Sequence, residues 1–215
     1  MSRKKIGITL KVVKHHEHGE MMTCIDIKWI DLLLSLGFTP ALIPLTSSEH
    51  LSLIWNNLNL DGLILSGGNT LASAVKDKHE SNVYFERDIF EKSLLDMAIR
   101  KQIPVLGICR GLQVINTFFN GGVLRFEGQI GKNQKITSLS DNKSSFPNEV
   151  TCYHDYVVTP ELLGDELVPL AHDSNGNIQA LSHSSHKILG LMWHPERENF
   201  ERTTSNDIIR EHLNK

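Results

Sequence analysis

Cysteine is scarce in this chain. Cys24, Cys109 and Cys152 are the only three in 215 residues, too few and too scattered for a disulfide framework or a four-cysteine zinc site. Aromatic residues make up 7% of the chain and do not interleave with a basic stripe. With a formal net charge of −3, nothing electrostatic points to nucleic acid or to an anionic membrane surface, and neither is expected as a partner. No apolar run approaches the roughly 20 residues of a membrane span. The basic start, Ser2-Arg3-Lys4-Lys5, leads into an apolar run that is too short for a secretion signal, so cytoplasm is the expected compartment. What remains is an ordinary globular composition, 40% hydrophobic and 22% charged. A chain of this length suits one α/β domain over 1–215, burying about 70% of its unfolded surface. No internal repeat and no second domain are read.

The order of elements alternates. Strands are expected at 6–10, 41–44, 62–65 and 103–106, with helices at 23–37, 50–58 and 84–101 between them. Thr23 reads as the N-cap of the first helix, with Asp26 three residues on and Gly37 as terminator. Phe90, Leu94, Met97 and Ala98 give the third helix one apolar face. Beyond Gly122, short strands at 149–153, 167–171, 178–181 and 188–193 bring the chain back to the sheet. Such alternation implies right-handed crossovers and a mostly parallel sheet flanked by helices in three layers, with ligands beyond the carboxyl ends of the strands. The polar connections 69–82 and 129–148 are candidate flaps over such a site.

Three segments carry chemistry. In the first, the buried strand Ile103-Pro104-Val105-Leu106 runs into Gly107-Ile108-Cys109-Arg110-Gly111, followed by the helical run 112–119. A cysteine between glycines at a strand-to-helix turn is the thiol form of a nucleophile elbow, and the helix N-terminus beneath it favours negative charge on sulfur. In the second, Trp193-His194-Pro195-Glu196, proline ends a strand. His194 and Glu196, two apart in an extended segment, then share one side, so the acid can orient and steady the imidazole. In the third, the strand 62–65 runs into Ser66-Gly67-Gly68. Its exposed N–H groups, together with the N–H of Arg110, would hold a developing oxyanion.

In that order and nearly over the whole chain, these segments resemble the class I glutamine amidotransferase-type hydrolases, the family of γ-glutamyl hydrolases and glutaminase domains. The resemblance implies a flavodoxin-like fold with Cys109 as nucleophile, His194 as base and Glu196 as orienting acid. It implies oxyanion donors at Gly68 and Arg110, and a substrate pocket formed with Gly67, Gln113, His154 and Arg87. No cofactor is implied. The resemblance also implies a small γ-glutamyl substrate, cleaved through a γ-glutamyl thioester. Arg87-Asp88-x-x-Glu91 together with Cys-Arg-Gly-Leu-Gln is similar to the γ-glutamyl-γ-aminobutyrate hydrolase group. Thr151-Cys152-Tyr153-His154-Asp155-Tyr156 departs from it, keeping His154 but not the second His and the Gln. That departure looks more like the γ-glutamyl-CDP-amidate hydrolase group, whose substrate is nucleotide-linked and whose product enters capsule decoration. Arg110, Arg125 and Arg197 are candidate phosphate contacts there. A glutaminase subunit feeding a separate synthetase, and a non-enzymatic relative of the fold, stay open as alternatives, as does a homo-oligomer.

Two histidine clusters, His15-His16-Glu17-His18 and His183 with His186, lie on no convincing helix with facing ligands, so no metal site is expected. Trp29 and Trp193 read as core.

Overall fold

The computed structural model describes residues 3–75, 82–128, 130–139, 146–197 and 202–215. Of the two candidate flaps, residues 76–81 of the first, and 129 and 140–145 of the second, lie outside the described residues.

Strand β1 (Lys5–Thr9) is followed by the pair β2 (Lys11–Lys14) and β3 (Met21–Cys24), then by helix α1 (Lys28–Ser35), β4 (Thr39–Ile43), α2 (Ser48–Leu58) and β5 (Gly62–Leu65). Helix α3 (Phe85–Lys101), β6 (Val105–Ile108) and α4 (Arg110–Phe118) come next. The short strands β7 (Leu124–Arg125), β8 (Asn133–Lys135), β9 (Thr137–Ser138), β10 (Glu149–Thr151) and β11 (Tyr156–Val157) lead to β12 (Leu167–His172), β13 (Ile178–His183) and β14 (Ile188–Leu191). Helix α5 (Arg202–Leu213) follows.

The central eight-stranded sheet has the order β4-β1-β5-β6-β14-β13-β12-β9. The first five strands are parallel and the last three continue antiparallel. This is the α/β, mostly parallel sheet expected. Its middle strands read Gly-Leu-Ile-Leu, Val-Leu-Gly-Ile and Ile-Leu-Gly-Leu and are buried at every position, the pattern of strands covered on both faces. Successive side chains point to opposite faces. Ile64, Leu106 and Leu191 therefore join Trp29, Leu32 and Leu213 of the α1 and α5 layer. Leu63, Leu65 and Val105 join Trp55, Leu94 and Leu112 of the α2, α3 and α4 layer. Trp193 is buried in the first layer, its indole N–H donating to Ser205.

The start of α1 differs from expectation. Thr23 does not cap a helix. It pairs with Val12 in the antiparallel β2–β3 hairpin, and the helix begins after Asp26, whose carboxylate accepts the Lys28 N–H at 3.1 Å. Met21, Met22 and Thr23 are exposed, so this hairpin carries no buried-face signature in its sequence. Among the described residues, no helix is long and apolar enough to cross a membrane.

Candidate active site

The register of the parallel strands brings three chain segments to one edge. Leu65 lies opposite Gly107 and Ile108 opposite Leu191, so Ser66, Cys109 and Met192 each stand one residue past paired strand ends. Cys109 takes φ +52°, uncommon for a side-chain-bearing residue, and its N–H donates to the Leu191 carbonyl at 2.7 Å. Two glycines make this turn possible. A methyl group on Gly107 would lie 2.6 Å from the Gly111 backbone, and one on Gly111 would collide with the Leu65 carbonyl oxygen. Helix α4 can start only by pressing its first turn against β5 and β6.

His194 reaches Cys109 from the end of β14. Its Nδ1 lies 2.7 Å from Glu196 Oε1, which leaves Nε2 for Cys109, and both side chains flank Gly67. Burial disfavours charge on this imidazole. The charge of the neighbouring Cys109 sulfur together with Glu196 outweighs it, and the His194 pKa is pushed up to about 9. The segment is not extended as expected. It closes as a turn in which the Arg197 N–H donates to the His194 carbonyl at 3.0 Å, and the turn itself places Glu196 beneath the ring. Gly67 lies so close that a Cβ there would meet His194 Cε1 at 2.6 Å.

Gly68 has φ +81°, and neither its N–H nor that of Arg110 is hydrogen-bonded among the described residues. Gly68, Cys109 and Arg110 line one cavity. A buried charge cluster fixes their positions. Arg87 of α3 donates to the carbonyl oxygens of Ser66 (3.1 Å), Gly67 (3.1 Å) and Gly68 (2.6 Å) and to Asn69 Oδ1 (2.7 Å). Glu91 accepts from Arg87, from Thr9 Oγ1 at 2.7 Å and from Arg110, while Asp88 accepts from Arg110 and from the Ala72 N–H at 2.8 Å. Two expectations are corrected here. Arg87 is not a substrate contact, because its guanidinium is spent on backbone carbonyls and Glu91 and is 1% exposed. The Arg110 guanidinium, equally buried, is held by Asp88 and Glu91 and cannot reach a phosphate at the mouth. Burial raises the carboxyl pKa of Asp88, which faces one guanidinium. At Glu91 burial also opposes charge, but two guanidiniums and Thr9 outweigh it and the pKa falls. Burial lowers Arg87 to about 10, against the pull of Glu91.

Two cavities meet at this centre and share Gly68, His194 and Arg197. The first, about 210 Å³, contains Cys109, Gln113, His154 and Tyr156. Gln113 donates to the Tyr156 carbonyl at 3.1 Å. Burial lowers the His154 pKa to about 4, so the ring is neutral near pH 7, and its Nδ1 has no partner among the described residues. The second, about 290 Å³, lies on the far side of His194 and is lined by Lys11, Cys24, Asp26 and Trp29. Lys11, Asp26 and Tyr153, whose ring centroid lies 5.5 Å from that of His194 at a right angle, carried no sequence signal for the site. Arg125 is apart from both cavities, exposed and paired with Glu127 at 2.8 Å, which removes it as a phosphate contact. The ligand atoms of His15, Glu17 and His18 do cluster, within 4.8 Å of one another at the exposed hairpin turn, although no metal group was expected. His183 stacks near His186 and Phe119 with ring centroids 4.5 Å away, outside both cavities.

A thiol, an imidazole braced by a carboxylate and two free N–H donors are the equipment of covalent acyl transfer. Comparison with known proteins points the same way. The glutamine amidotransferase class-I family model matches residues 27–212. The chain is 33% identical over 198 residues to the γ-glutamyl-CDP-amidate hydrolase of Campylobacter jejuni, covering 90% of each. It is 29% identical over 159 residues to a glutamine-hydrolyzing GMP synthase subunit of Methanococcus vannielii, covering 73% of this chain and 75% of that one. A glutamine amidotransferase of Thermotoga maritima has the same fold, with a TM-score of 0.64 at 17% identity over 99% of this chain and 83% of that one.

Proposed function

The chain belongs to the class I glutamine amidotransferase family, and from that premise we propose that it hydrolyses a γ-glutamyl amide-type bond through a thioester on Cys109. The observation that carries this reading is the Cys109–His194–Glu196 contact, drawn from two distant parts of the chain.

The Cys109 sulfur attacks the γ-carbonyl carbon, and the displaced carbonyl electrons move to oxygen, where the Gly68 and Arg110 N–H groups receive them. As the C–N bond breaks, the imidazolium of His194 gives its proton to the departing nitrogen, leaving a γ-glutamyl thioester. A water molecule then loses a proton to His194 and attacks the thioester. The C–S bond breaks, and glutamate leaves with the sulfur restored. Glu196 steadies the imidazolium in both halves. Gly67, Gln113 and the neutral His154 shape the space beside the sulfur, in which the glutamyl group sits.

The narrower substrate is a γ-glutamyl-CDP-amidate, split to glutamate and cytidine diphosphoramidate in capsule building within the cytoplasm. Its support is the named activity of the Campylobacter relative. A second reading, a glutaminase subunit that hands ammonia to a synthetase, is favoured by the relatives named as glutamine-hydrolyzing GMP synthase subunits. Purified chain, offered glutamine, γ-glutamyl-γ-aminobutyrate and a γ-glutamyl nucleotide phosphoramidate, separates these. Glutamate release is expected chiefly from the phosphoramidate, and Cys109→Ala lowers it by about 10⁴-fold or more. Cleavage of γ-glutamyl-γ-aminobutyrate with the phosphoramidate ignored refutes the narrower substrate. Glutamine hydrolysis that appears only with a partner supports the second reading.

A further inference from the structure

We infer that the cavity on the far side of His194 is an anion-binding subsite for the leaving group, and that Lys11 and Arg197 select a phosphate-bearing one. This rests on the acyl-transfer reading above and deepens it.

In such a reaction the imidazole that protonates the departing nitrogen must face it, so the leaving group lies on the imidazole side of the sulfur and the acyl group on the other. Two cavities meet here, and only one of them contains Cys109, Gln113 and His154. The other is bounded by His194, Gly67 and Gly68 together with Lys11 and Arg197. The proton path thus assigns the leaving group to the cavity at the open end of the β2–β3 hairpin, where Lys11 pairs with Cys24.

The charges of that cavity are unbalanced. The Lys11 stem lies over Gly68, 3.1 Å from where a Cβ would stand, and its ammonium has no hydrogen bond or ion pair among the described residues. Arg197 lies over the Tyr153 ring, 5.0 Å from the centroid, which holds the guanidinium at the junction of the two cavities. Its Nε is buried but unbonded, 3.5 Å from Glu196 Oε1 and 3.7 Å from Asp26 Oδ2. Glu196 is committed to His194. Asp26 already accepts the Lys28 N–H and lies in ion-pair range of Arg197, so Lys11 is left without a counter-charge among the described residues, and an anion between the two cations would serve it and complete the hydrogen bonding of Arg197 Nε. Phosphate oxygens offer several acceptors at once and carry more negative charge than a single carboxylate, which suits a guanidinium beside an ammonium.

The test compares wild type with Lys11→Ala, Arg197→Ala and Lys11→Arg on three donors: a γ-glutamyl cytidine diphosphoramidate, γ-glutamyl-γ-aminobutyrate and glutamine. Each alanine is expected to lower the phosphoramidate-to-glutamine ratio of kcat/KM by about ten- to a hundredfold, mainly through KM. Lys11→Arg should recover most of that loss, and the wild-type preference should weaken as salt is added. A fall shared equally by all donors overturns the proposal, since it makes these residues supports of the turn. A ratio that moves only for γ-glutamyl-γ-aminobutyrate overturns the assignment to phosphate. Wild type that turns over no donor and acylates no cysteine is the separate signature of failure of the parent reading, and the subsite falls with it.

Discussion

Cys109 sits at φ +52°, a backbone conformation that costs a residue with a side chain roughly 1–3 kcal/mol. The glycines at 107 and 111, the hydrogen bond to Leu191 and the packing of α4 hold it there. The gain is a sulfur that stands clear of the sheet with its neighbour's N–H free. At the same scale, Cys109 and after it Glu196 favour the charged form of His194. With the imidazole pKa at about 9, kcat/KM should decline on an alkaline limb near that pH, as the proton needed by the leaving nitrogen is lost. Glu196→Gln removes a raising influence, so the limb should move to lower pH and the plateau fall on the order of 10²–10⁴-fold. A pH–rate profile of both proteins checks this, and an unmoved limb would show that Glu196 does not tune the imidazole. Cys109, His194, Glu196 and the Gly67-Gly68 turn were legible in the sequence because glycine and proline mark them. The direction of the arginines was not. Arg87 and Arg110 have the letters of solvated or substrate-facing residues, and only folding reveals that each is enclosed by carboxylates and carbonyls.

Helix α3 shows why. Arg87, Glu91, Leu94 and Ala98 recur at helical spacing and all are buried, so one stripe runs from apolar packing into an ion cluster. Apolar periodicity detects the lower half of that stripe and misses the upper. The upper half ties together two chain segments that line the Cys109 cavity, Gly68 through Arg87 and Arg110 through Asp88 and Glu91. Arg87 is thus a positioning residue. Arg87→Met takes a buried guanidinium from three carbonyls and leaves Glu91 with only Thr9 and Arg110. Loss of one partner of a buried pair costs about 3–5 kcal/mol, and kcat should fall more than KM rises, because the turn rather than the substrate pocket is loosened. Urea denaturation with steady-state kinetics tests this; a stable variant with normal kcat would contradict it. The middle strands were readable as unbroken apolar runs. The β2–β3 hairpin was not, since its exposed residues carry no alternation tied to a core, and Thr23 with Asp26 imitates a capping pattern.

For the whole molecule, three-layer packing sets both stability and site. The order of the sheet follows from where helices cover it; the antiparallel extension joins the consecutive strands β14, β13 and β12, and only its last pairing, β12 with the distant two-residue β9, is one that local patterns do not specify. Layer packing also buries two neutral imidazoles, His154 and His212. The latter's Nε2 stands 2.9 Å from the Val105 carbonyl, and burial lowers both pKa values to about 4 from 6.5. A depressed histidine pKa means that the unfolded chain binds protons the native one refuses. Their contribution is complete above pH 6.5 and is lost as pH falls through 4, on the order of 3 kcal/mol each. His194 has the opposite sign. Its contribution is complete below pH 6.5 and is lost as pH rises through about 9. Urea midpoints should therefore be highest between these limits and fall on both sides, and a midpoint unchanged from pH 7 down to pH 4 would contradict the burial described.

The central claim concerns one bond. Intact-mass and peptide-level spectrometry of the purified chain, quenched in acid during turnover of a γ-glutamyl donor, reads it directly. The account predicts one added γ-glutamyl group, carried by Cys109 and absent in Cys109→Ala. Turnover by Cys109→Ala, or an acyl group on any other residue, would contradict it.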